Sequence, residues 1–140
     1  FTEKIADRQY IMKYIKNYVL FFTIVSIIIL VGSYLFASEI LSIFGKEYMM
    51  YSDSFFILII GIIGIFLCRG VFGNLLASIG RIEVNYYIIS IALIINIISN
   101  QYLIPIYGIK GAAITSAILM WFTGILSWLS FAYLYRKKYR

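Results

Sequence analysis

At 140 residues, 63% hydrophobic and 13% charged, with a mean hydropathy of +0.95, the chain is not a water-soluble domain. Such a domain needs about a quarter of its residues charged to cover its surface. The net charge of +6 comes with one cysteine, Cys68, and no histidine, which excludes an internal disulfide and any multi-cysteine metal site.

The opening stretch "FTEKIADRQY" lacks the basic start, short apolar core and small-residue cleavage site of a signal peptide. It begins at Phe1, which is what the C-terminal piece of a longer polytopic protein would show. Residues 1–17 read as a basic, amphipathic helix on the cytoplasmic membrane surface. Ile11, Ile15 and Tyr18 share one face, while Gln9, Lys13, Lys16 and Asn17 share the other. The plainer alternative is a basic linker between two halves of a transporter.

Four apolar runs follow, over 18–37, 54–79, 86–106 and 112–133. Each is long enough to cross a hydrocarbon core of roughly 30 Å, which takes about 20 residues of helix. Their β-branched content would suit strands in water. In lipid, however, every backbone group must be satisfied within the segment or a closed barrel, and the runs lack a barrel's polar/apolar alternation. The expected fold is an all-α integral membrane region over 18–134, with four transmembrane helices, short loops and a basic tail at 135–140.

Basic residues set the orientation. Lys4, Arg8, Lys13 and Lys16, then Arg81, then Arg136, Lys137, Lys138 and Arg140 fall on one side, which places both ends and the Gly80–Glu83 turn in the cytoplasm. Only Lys46 and Lys110 fall on the other side. The basic surplus thus reports membrane orientation, and no nucleic-acid partner is expected. Tyrosines at span ends, such as Tyr34, Tyr86 and Tyr133, fit interfacial belts.

Function has to be argued from what interrupts the apolar runs. Arg69 lies inside the second span, roughly 15 Å from its cytoplasmic end, deeper than a snorkelling side chain fully recovers. Glu39, Glu47, Asp53 and Glu83 all sit at span ends or in loops. Two readings follow: an ion pair with an acid outside this sequence, or contact with a bound anion such as a phosphate. In the third span Asn85, Asn96 and Asn100 share a narrow sector with Ala92 and Ser99. This stripe suits either a hydrophilic pathway or interhelical hydrogen bonds, and it faces protein rather than lipid.

Small residues at helical spacing mark close packing: Gly61, Gly64, Gly73 and Ala77 in the second span, and Ala113, Ala117, Gly124 and Ser127 in the fourth. Gly70 and Gly73 also loosen the helix beside Arg69. Pro105, Gly108 and Gly111 form a tight corner between the third and fourth spans, with Lys110 at the outer surface. No His–carboxylate pair, activated nucleophile, metal-ligand cluster or phosphate-cradling loop is recognisable, so neither an enzyme nor a cofactor is expected.

The stretch "LIPIYGIKGAAITSAI", preceded by "NLLASIGRIEVNYYIISIALIINIISN" and "ILSIFGKEYMMYSDSFFILIIG", resembles the C-terminal region of bacterial polysaccharide flippases. The resemblance covers nearly the whole chain and is carried by the ordered set of motifs rather than by any one tripeptide. It implies the multidrug/oligosaccharidyl-lipid/polysaccharide exporter superfamily, with twelve to fourteen helices in two lobes. The implied activity is the flipping of undecaprenyl-diphosphate-linked O-antigen or capsule repeat units across the inner membrane by alternating access. These spans would belong to the C-terminal lobe, facing a missing N-terminal lobe. By position and charge, Arg69 would meet the lipid diphosphate, with Asn85, Asn96 and Asn100 as further substrate contacts. A drug or cation exporter of the same superfamily would favour an acid within a span. A membrane polysaccharide polymerase or glycosyltransferase would favour a large outer loop. Neither feature is present.

Overall fold

A computed structural model describes residues 5–139, so the expectations attached to residues 1–4 and Arg140 lie outside the described residues. Four helices follow one another: α1 (Arg8–Ser42), α2 (Lys46–Ser78), α3 (Ile82–Tyr107) and α4 (Ile109–Lys138). All four are long and apolar enough to cross a membrane, and the chain is a multi-pass membrane protein by helix length and hydropathy.

α1 starts where the Asp7 carboxylate accepts hydrogen bonds from the backbone N–H groups of Gln9 at 2.9 Å and Tyr10 at 3.2 Å. No break separates residues 8–17 from the apolar run, and the only non-helical backbone inside α1 is at Phe36. The expected surface helix is therefore, from Arg8 onward, the first turns of α1. Its apolar face is used differently too. Ile11 is 1% exposed and packs with Val71, Leu75 and Leu76 of α2. An amphipathic pattern reads the same whether its apolar side meets lipid or protein, so sequence periodicity alone does not tell the two apart.

α2 is composite: a 3₁₀ turn over Lys46–Tyr51, α-helix over Ser52–Gly64, a π-helical turn over Ile65–Arg69, and α-helix again over Gly70–Ser78. It ends in a Schellman motif. The Arg81 N–H bonds to Leu76 O at 2.9 Å and the Gly80 N–H to Ala77 O at 3.0 Å, with Gly80 at φ +76°.

The corner between α3 and α4 is a single residue. Gly108 adopts φ 58°, ψ −138°, a conformation open essentially to glycine alone. Pro105 does not stop α3, which continues to Tyr107; the proline removes one i→i−4 hydrogen bond, to the Gln101 carbonyl, just before the helix ends. Gly111 serves a different purpose from the one its sequence context indicates. It is helical, and a side chain there would collide with the Leu103 carbonyl of α3. Close approach of the two backbones, not turn geometry, requires this glycine.

α4 is the central element, packing along α2 on one side and α3 on the other, while α1 packs chiefly on α2. Within their most apolar windows 33% of α4 is buried but only 6% of α3. The expected small-residue contacts are present. A Cβ on Gly61 would lie 2.7 Å from Ala117 Cα, and one on Gly64 would lie 2.7 Å from the Trp121 ring. Ala113 and Ala117 are buried. The Trp121 indole N–H donates to Ile60 O at 3.0 Å and locks the same contact.

The two ends of the bundle are held by different means. At the basic end Ile5, Ile11, Phe72, Ile79 and Phe131 belong to one buried apolar cluster, and Lys138 Nζ donates to the helix-terminal Ile79 carbonyl at 2.8 Å. At the opposite end an exposed ion pair, Lys110–Asp53 at 3.3 Å, ties the start of α4 to α2.

Candidate functional site

Arg69 is the last residue of the π-helical turn. Across this turn the Gly70 N–H bonds to Ile65 O, five residues back instead of four. The extra residue rotates everything after it by about 100° relative to a regular helix. Gly124 of α4 lies directly against the turn. A Cβ on it would stand 2.8 Å from Cys68 Cβ, 3.1 Å from Gly64 O and 3.3 Å from Arg69 N. The bulge and the glycine opposite it thus bring the α2 and α4 backbones together beside the arginine.

From there the half-buried Arg69 side chain reaches both neighbouring helices. Nη1 donates to Asn85 Oδ1 of α3 at 2.7 Å and to Ser127 Oγ of α4 at 2.7 Å. Each acceptor is itself anchored: Asn85 Nδ2 donates to Gly73 O at 2.9 Å, and Ser127 Oγ donates to Thr123 O at 2.8 Å. Gly73 leaves room for the guanidinium, since a Cβ there would stand 3.1 Å from Nη1. Three helices are clamped by one polar network.

The network orients Arg69 without neutralising it. Both acceptors are uncharged, and the ion pairs among the described residues are Arg81–Glu83 and Lys110–Asp53, neither of which involves Arg69. Both bonds use Nη1, so among the described residues Nε and Nη2 keep their donors free of hydrogen-bond partners. A guanidinium edge held in this way is suited to a carboxylate or phosphate, which it binds through two parallel hydrogen bonds.

Of the residues picked from sequence, Arg69 and Asn85 come together, and Asn96 and Asn100 do not join them. Asn100 Nδ2 donates to Asn96 Oδ1 at 3.0 Å, forming a separate pair about 16 Å further along α3. Asn100 Oδ1 and, on α4, Thr115 Oγ1 are buried without a hydrogen-bond partner among the described residues. Ser127, 0% exposed, belongs to the arginine site, although its sequence context marks it only as a small packing residue. The hairpin register would have found it. Ser127 lies nineteen residues after Gly108 and Asn85 twenty-three before, so antiparallel helices bring them within about one turn of each other.

No family model, curated protein or solved structure matches the chain.

Proposed function

We propose that the chain is the C-terminal part of a transporter that flips undecaprenyl-diphosphate-linked oligosaccharide repeat units across the bacterial inner membrane by alternating access. One observation carries this reading: a guanidinium inside a membrane span, fixed by Asn85 and Ser127 and left without a carboxylate among the described residues. A diphosphate-sugar headgroup cannot cross hydrocarbon unaided and needs a polar, basic path through protein. Arg69 supplies the positive charge on that path, and its free Nε/Nη2 edge takes phosphate oxygens. Asn85 and Ser127 act as positioning residues for it. The motif order of the third and fourth spans supports the same family, in which a second lobe completes the path.

The test is lipid-linked sugar translocation by the complete open reading frame carrying Arg69→Ala or Arg69→Lys. The charge-assisted contact is worth about 1.5–3 kcal/mol, so Ala lowers translocation by at least about tenfold at unchanged membrane abundance. Lys, a point charge without the planar fork, restores part of it. A loss of abundance that accounts for the whole loss of export would make Arg69 a packing residue and end this reading.

A further inference from the structure

The surface of α1 beside its contact with α2 carries a second feature, independent of the transport reading. A shallow groove of about 430 Å³ follows the helix axis, lined by Met12, Ile15, Lys16, Val19, Leu20 and Thr23. From Lys16 to Thr23 it descends about 10 Å. This places its mouth just outside the apolar run that begins at residue 18 and its floor within that run. The floor presents hydrocarbon, because the Thr23 hydroxyl is committed to Val19 O at 2.7 Å. The face of α1 buried in the protein, through Ile11, Ser26, Ser33 and Ala37, lies beside the groove, and Ile15 borders both.

Lys16 is the one charged residue of the lining, and it is exposed. It has neither an ion pair nor a hydrogen bond among the described residues. Lys13, one turn earlier and also exposed, has none either. Two ammonium groups without a partner among the described residues therefore stand at headgroup level above an apolar channel that leads into the bilayer.

We propose that this groove binds one anionic phospholipid, with its phosphate on Lys16 and one acyl chain lying along Val19, Leu20 and Thr23. The charge pattern selects the headgroup. A zwitterionic lipid brings its own cation beside its phosphate and cancels most of the attraction, whereas an anionic lipid retains a net negative charge. The discrimination from one lysine at the membrane surface is about fivefold.

The experiment uses the purified chain in nanodiscs of equal parts phosphatidylglycerol and phosphatidylcholine, with the lipids retained on the released protein counted by native mass spectrometry. Phosphatidylglycerol is expected to be enriched about fivefold. Lys16→Gln removes the enrichment, Lys16→Arg keeps it, and Lys137→Gln, exposed in the last turn of α4, leaves it unchanged. Lys16→Gln should melt with the parent protein, since the ammonium has no ion pair or hydrogen bond to lose among the described residues. Equal retention of the two lipids by the parent chain would overturn the proposal. So would equal losses in Lys16→Gln and Lys137→Gln, which would mean diffuse surface charge and no site.

Discussion

α3 presents two polar clusters on one face, and they differ in kind. Asn85 belongs to a network spanning three helices, in which each named acceptor is anchored to a backbone carbonyl. Asn96 and Asn100 bond mainly to each other, within one helix, and leave Asn100 Oδ1 buried and unpaired. Helical periodicity places all three asparagines in one sector of α3 but says nothing about which of them share a site. What separates them is the partner: beside Asn85 the π-turn of α2 delivers a cation, while among the described residues no charged group bonds to Asn96 or Asn100.

The most severe way to break this contrast is to push α4 off the π-turn. Gly124→Val inserts carbon where Cys68 Cβ and Gly64 O already stand, and overpacking of this kind costs about 1–3 kcal/mol. Unfolding in micelles by denaturant titration should show that loss, at the upper end of the range. A fully stable Gly124→Val would refute the close approach of the two backbones. Asn85→Leu comes next. It strips Nη1 of one acceptor and frees the Gly73 carbonyl, for an expected loss of about 2 kcal/mol.

Asn100→Leu sharpens the comparison from the other side. It removes one intrahelical bond together with an oxygen that had no partner, so the same titration should shift by less than about 1 kcal/mol. If Asn100→Leu proved as costly as Asn85→Leu, the two clusters would be energetically equivalent and the distinction would fail. The smallest effect is expected at the opposite end of the bundle. Lys110→Ala breaks the exposed pair with Asp53, worth about 0.5 kcal/mol at low salt and less as salt rises. A change that ignores ionic strength would show that the ion pair contributes nothing there.

Much of this was legible in the residues themselves. Four helices, their approximate spans and the small-residue contacts of Gly61, Gly64, Ala113, Ala117 and Gly124 follow from apolar length and helical spacing. Gly108 was readable as a corner residue because a sharp reversal needs a backbone conformation that side chains exclude. Gly111 was not readable in the same way: the reason for it, the Leu103 carbonyl, belongs to another helix. The continuity of residues 8–17 with α1 is not readable for a related reason, since the surface that buries Ile11 is built by Val71, Leu75 and Leu76, far away in the chain.

The sequence by itself determined the solvent and the class of structure. Hydrocarbon tolerates no unsatisfied backbone, so four long apolar runs without alternation had to become helices. It also singled out Arg69, because a charge inside such a run is conspicuous wherever its neighbours lie. Only the tertiary structure decided that charge's surroundings. The π-turn, the rotation it imposes and the meeting of Asn85 with Ser127 depend on how α2 and α3 settle against α4. Those are relations between helices, set by packing across distances that one-dimensional spacing does not encode.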